Sequence, residues 1–189
     1  MEGNTMIKKI MLLASMALAT AALAAPAAQA EWLHNGAPLK ANATVNLSGT
    51  AGFAAPFGLG TYTCTVHATL VAEPGSTGKV TKFEPTTNTC VGTGILANCK
   101  LKSHSSNVPM IVHANTTVRT ISITNATIKN VYEGANCSQT ETHLLFSTVT
   151  ATPDNGSSIS SVKLSGTATN GTTVSGTLNV TPAKTYGIK

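Results

Sequence analysis

The stretch that decides the fold runs Thr61-Tyr62-Thr63-Cys64-Thr65-Val66-His67-Ala68-Thr69-Leu70-Val71-Ala72-Glu73, then Pro74-Gly75-Ser76-Thr77-Gly78, then Lys79-Val80-Thr81-Lys82-Phe83-Glu84-Pro85-Thr86-Thr87-Asn88-Thr89-Cys90. Apolar and polar residues alternate on both sides of a Pro-Gly-Ser turn, which is the pattern of a half-buried β-hairpin. Cys64, Val66, Ala68 and Leu70 share one face and Thr63, Thr65, His67 and Thr69 the other, because successive strand side chains point to opposite sides. The cysteine face is the one to bury. His67, among threonines, then reads as a surface residue. A regular register sets position 64 opposite about 89 or 90, which predicts a Cys64 to Cys90 disulfide.

Outward from this hairpin the same period of two recurs at Ala43 to Gly49, Tyr62 to Val71, Lys79 to Phe83, Met110 to Ala114, Val118 to Ile123, Ala126 to Tyr132, His143 to Ala151, Ser160 to Thr167 and Thr173 to Val180. No segment of the exported part sustains a 3.6-residue apolar period for the length of a helix. The last two runs flank Asn170-Gly171, a strong hairpin turn. Nine short strands predict an all-β fold, an antiparallel β-sandwich of Ig-like or jelly-roll-like type.

Residues 1–30 stand apart. Lys8 and Lys9, an apolar run from Ile10 to Ala24 and the exit Ala28-Gln29-Ala30 predict a cleaved secretory signal peptide. The apolar run is shorter than a membrane span requires, and no other segment resembles one. Met6 offers a more ordinary start than Met1. Residues 31–189 are read as one domain, with ten Lys and Arg against six Asp and Glu, net +4. The remaining cysteines, Cys99 and Cys137, would close the next excursion in an oxidising, extracellular or periplasmic compartment.

Of 189 residues only 10% are charged, whereas 31 are threonine. Solubility rests on hydroxyls and amides, and threonine favours strand surfaces. Scattered lysines with one Arg and one Trp give no nucleic-acid footprint. The cysteine spacing contains no C-x-x-C and no adjoining histidine, so neither a metal site nor another cofactor is expected. Six acids and five histidines form no Gly-x-Ser-x-Gly elbow and no His-Glu-x-x-His, and the chain is read as non-enzymatic. Eight Asn-x-Ser/Thr sequons, at Asn42, Asn46, Asn115, Asn125, Asn136, Asn155, Asn170 and Asn179, are taken as compositional.

Gly52-Phe53-Ala54-Ala55-Pro56-Phe57-Gly58-Leu59-Gly60 places three large apolar side chains on a Gly-rich backbone without charge. Phe53, Phe57 and Leu59 are therefore candidates for apolar contact with a partner, and the alternative is a loop that plugs one end of the fold. Trp32 is a fourth candidate, although a capping or core anchor suits it better.

The run Val108-Pro109-Met110-Ile111-Val112, through Val118-x-x-Ile121-x-Ile123, to Asn130-Val131-Tyr132-Glu133-Gly134-Ala135-Asn136-Cys137 resembles small bacterial secreted proteins of the alkane-oxidation activator (PraB) type, over about residues 60 to 140. The resemblance implies an extracellular, non-enzymatic β-protein at cell surfaces or hydrocarbon droplets, and carries no catalytic residue.

The sequence thus predicts a secreted structural or surface-active protein at the cell surface, the extracellular matrix or a hydrophobic interface, meeting a hydrophobic surface or itself. The alternative is an extracellular binding module for a small apolar molecule or a glycan.

Overall fold

The structure, a computed structural model, describes residues 30–134, 137 and 141–189. The expected signal peptide lies outside the described residues except for Ala30, as does the sequon at Asn136. The strands are β1 Trp32–His34, β2 Ala37–Pro38, β3 Ala43–Ala54, β4 Thr61–Ala72, β5 Thr77–Pro85, β6 Val91–Gly92, β7 Lys100–Ser106, β8 Met110–Asn115, β9 Thr120–Glu133, β10 Glu141–Pro153, β11 Ser161–Thr167, β12 Thr173–Thr181 and β13 Tyr186–Ile188.

The expectation of a sandwich is corrected. Antiparallel pairing runs β10-β11-β12-β3-β4-β5-β8-β9, and β9 pairs back onto β10 from Ile121↔Ala151 to Val131↔Glu141. The sheet therefore closes into an eight-stranded barrel, which removes its edges except where β5 faces β7. Closure depends on β9, in which the two runs read as separate strands at 118–123 and 126–132 are one. Its first half pairs with β8 and its second half with β7. The segment Lys100–Ser106, which has no regular alternation, is thus a strand that continues the line of β8, and the eighth wall of the barrel is a broken strand.

The break has a mate in β9. Ile121 and Ile123 face inward, and so do Ala126, Ile128, Asn130 and Tyr132, so the inward set changes phase between them. Asn125 sits at the change in the left-handed conformation, φ 53°, which asparagine tolerates better than most residues. Asn107, in the gap between β7 and β8, patches the ladder there. Its Nδ2 donates to the Asn125 carbonyl and its Oδ1 accepts from the Thr127 N–H, both at 2.7 Å.

Alternation decides which side of the wall is dry. Cys64, Val66, Ala68, Leu70, Val112, Phe146, Val162, Leu164, Val174 and Leu178 are buried in the barrel. The outward positions of β3, β4, β11 and β12 carry mostly Thr, Ser, Asn, His and Lys. This is the reverse of a membrane-spanning barrel, whose outer face is apolar. Inside remains an apolar cavity of about 80 Å³ lined by residues such as Leu70, Val112, Ile128 and Phe146. Gly49 and Gly176 mark corners of the wall: a Cβ on either would run into the carbonyl oxygen of the neighbouring strand, Thr177 or Thr50.

The two ends of the described residues form a lid. β1 pairs with β13 and β2 in a small sheet over one end of the barrel. Trp32, only 2% exposed, is its anchor. Its N–H donates to the Gly75 carbonyl at 2.9 Å and its indole Nε1 to the Thr77 carbonyl at 2.7 Å. Trp32 therefore takes no part in an exposed contact surface, because both its ring and its polar tip are consumed by the lid.

Candidate functional site

The opposite end of the barrel gathers the irregular segments. The chain leaves β3 through a 3-10 turn at Pro56–Gly58, leaves β5 through another at Thr87–Thr89, and passes β6 and a third turn at Gly94–Leu96 before β7. The return strand of the first hairpin consequently stops at Pro85, short of the expected Cys90. Two disulfides tie these segments down: Cys64 to Cys90, Cα atoms 4.1 Å apart, and Cys99 to Cys137, 4.9 Å apart. The first fixes the 87–90 turn against β4. The second fixes the start of β7 to the segment after β9.

A pocket of about 330 Å³ opens at this mouth. Its apolar wall includes Phe53, Tyr62, Leu96, Tyr132 and Leu144, and its polar side Glu141, Thr142, His143, Asn170 and Thr172. The Tyr62 and Tyr132 rings meet edge to face, centroids 5.0 Å apart, the arrangement favoured by aromatic quadrupoles. Burial pushes the Tyr62 hydroxyl above its ordinary pKa and Tyr132 adds to this, while the Leu101 backbone pulls the other way without an aligned hydrogen bond. Thr142 Oγ1 is also buried, with no hydrogen-bond partner among the described residues.

Charge at the mouth is locally cancelled. Glu141 accepts from His143 Nε2 and lies 3.1 Å from Lys129 Nζ. These contacts, the His143 bond foremost, hold the Glu141 carboxyl below its usual range. Among the described residues, no three His, Cys, Asp or Glu side chains converge as a metal site would require.

The three apolar residues singled out in the sequence separate. Phe53 is half-buried and packs against the core beside Tyr62, its partner in the β3–β4 register. Phe57 is 97% exposed, with φ 60° and ψ 21°. Leu59 is half exposed and stands on the pocket rim. Ile95 and Val91, both exposed, join them from the neighbouring loop. That loop is bonded to theirs, Ile95 N–H to the Leu59 carbonyl at 2.9 Å and Thr93 N–H to the Thr61 carbonyl at 2.8 Å. Sequence reasoning missed Tyr62, Leu96, Tyr132 and Leu144 as site residues, since each reads as an ordinary buried position of its own segment.

No protein-family model, curated protein or solved structure matches this chain.

Proposed function

We infer that this is an exported, non-enzymatic protein that adsorbs to hydrophobic interfaces through the rim of its barrel mouth. The observation that carries the reading is Phe57, an aromatic side chain almost wholly in water on a left-handed backbone. Such a conformation costs a non-glycine residue about 1 kcal/mol or more, and it displays a ring that would otherwise seek the core. Leu59, Ile95 and Val91 extend the apolar patch, while the strands beside it display hydroxyls. Exposed apolar side chains gathered on loops that are bonded to one another suit contact with an apolar partner. The resemblance to alkane-oxidation activators over residues 60 to 140 points the same way, and the two disulfides suit an oxidising compartment.

Burying about 300 Å² of this rim would contribute about 7 kcal/mol before ordering costs. A net charge of +4 over the exported part, spread over scattered lysines, adds little at physiological salt. Depletion of the protein from solution by hexadecane droplets should therefore persist in about 0.5 M salt. A Phe57→Ser, Leu59→Ser double variant with an unchanged circular dichroism spectrum should remain in the aqueous phase. Salt-sensitive adsorption that the double variant retains would overturn the reading.

A further inference from the structure

We propose that the mouth pocket is a binding site for one small, neutral, ring-shaped molecule held against Tyr62, Tyr132, Phe53 and Leu144. This goes beyond adsorption, since Phe57, which carries that reading, does not line the pocket.

Size and shape limit the occupant. About 330 Å³ lies at the lower end of small-molecule pockets, room for a compact molecule but not a long chain. The 80 Å³ cavity inside the barrel is far smaller and wholly apolar, so it provides no deep channel for an alkyl tail. Two aromatic rings at 5.0 Å, edge to face, with Phe53 beside them, offer flat and edge surfaces that suit a ring.

Charge limits it further. Glu141 is the carboxylate that lines the pocket; His143 bonds it there and Lys129 reaches it from outside. A ligand anion would meet Glu141 with no Lys or Arg among the described lining residues, and a ligand cation would have to compete with Lys129. An unpaired buried charge is costly, which leaves a neutral molecule.

The test uses the oxidised exported chain and three fluorescent probes: 2-naphthol, neutral with one hydroxyl; naphthalene, with none; and naphthalene-2-sulfonate, an anion. Saturable one-to-one binding of 2-naphthol is expected, with the sulfonate at least tenfold weaker. Naphthalene should bind within tenfold of 2-naphthol, since contact with the rings carries the site. Ala55→Trp, which fills the pocket from its loop, should abolish binding; if that variant does not fold, Ile95→Trp serves the same purpose. Phe57→Ser should lose droplet adsorption and keep 2-naphthol binding, so the two readings fail separately. Absence of saturable 2-naphthol binding, equal affinity for the sulfonate, or indifference to the filling variant would overturn the proposal.

Discussion

The Nε2–H of His104 donates to the carbonyl oxygen of Phe83 across 3.1 Å, and this side-chain bond joins β5 to β7 where no backbone ladder does. The other ring nitrogen, Nδ1, lies 2.8 Å from the Asn130 side-chain oxygen Oδ1, and the Asn130 Nδ2 donates to the Tyr132 hydroxyl at 3.3 Å. Asn130 is buried at 2% exposure. The barrel wall is therefore completed, on the side of the mouth, by a histidine acting in place of a strand pairing. The same chain of bonds reaches Tyr132 in the pocket wall.

Removal of that histidine should be expensive. His104→Ala leaves the Phe83 carbonyl and the buried Asn130 amide short of partners, which costs about 2 to 3 kcal/mol. His104→Gln, able to reach one of the two, should recover part of the loss. Urea denaturation of the three proteins measures both numbers, and equal midpoints would mean that water serves the wall as well as the ring does.

How much of this was legible follows from what alternation encodes. The hairpin from Thr61 to Pro85 and the one around Asn170-Gly171 are visible because one face of each is dry and the other wet, and because their turns carry Gly at positions the backbone requires. Whether those dry faces meet across two sheets or around one is a property of which strands become neighbours, and residues such as Val112 and Ile123 look alike in both. β7 was hidden for a different reason. Lys100-Leu101-Lys102-Ser103-His104-Ser105-Ser106 has a register irregularity between Leu101 and Ser103, and its principal wall contact is polar, so it lacks the apolar rhythm of a strand. The pocket was hidden because its walls come from segments around Phe53, Tyr62, Leu96, Tyr132 and Leu144, far apart in sequence. Only Phe53, Phe57 and Leu59 announced themselves, through large side chains on a glycine-rich stretch, and of these Phe53 and Leu59 line the pocket.

Asn107 should matter more than an exposed asparagine usually does. Asn107→Ala removes two hydrogen bonds to the β9 backbone where β7 gives way to β8, and should cost about 1 to 2 kcal/mol. Amide hydrogen exchange offers a local readout: Thr127 should lose protection in the variant while Val66 and Leu178 keep theirs.

The disulfides should stabilise the mouth independently. Their sequence separations of 26 and 38 residues correspond to about 3 to 4 kcal/mol each in the chain-entropy model. Non-reducing peptide mapping should recover Cys64 with Cys90 and Cys99 with Cys137. A Cys99→Ser, Cys137→Ser variant should lower the urea midpoint and weaken 2-naphthol binding together, because the start of β7 and the pocket share that end of the fold.

Acid should weaken the fold at two loops. Glu73 accepts from Lys79 and from Thr77, and these bonds, Lys79 first, hold its carboxyl below the ordinary range. At Asp154 burial works the other way, but the N–H groups of Ser161, Ser160 and Asn155 outweigh it and depress the carboxyl. A carboxyl depressed by folding binds protons less readily than in the unfolded chain, so its contribution is present above the unfolded value of about 4 and is lost as pH falls through the lower folded value. Melting temperature should be flat from about pH 7 to 5 and fall below about pH 4. Asp154→Ala should remove part of that acid limb, with the shares of Glu73 and Glu141 remaining; an unchanged acid limb in the variant would place the sensitivity elsewhere.

Trp32 makes the lid observable. It is the chain's only tryptophan, it is buried, and its strand pairs with β13 in the register Trp32↔Ile188. The oxidised protein should therefore emit at short wavelength, as a dry indole does. Removing residues 184–189 takes away β13, the bridge between Ile159 and Tyr186 and the bond from the Tyr186 hydroxyl to the Thr44 carbonyl. The barrel ladder from β3 to β12 does not depend on those contacts. The truncated protein should keep its far-ultraviolet spectrum, shift its emission to longer wavelength and still bind 2-naphthol at the opposite end. Trp32→Ala goes further by leaving a cavity at the barrel's end, and should cost about 3 to 5 kcal/mol. An unshifted emission after truncation would mean that the indole is held by Gly75 and Thr77 alone, and that the C-terminal strand is no part of the lid.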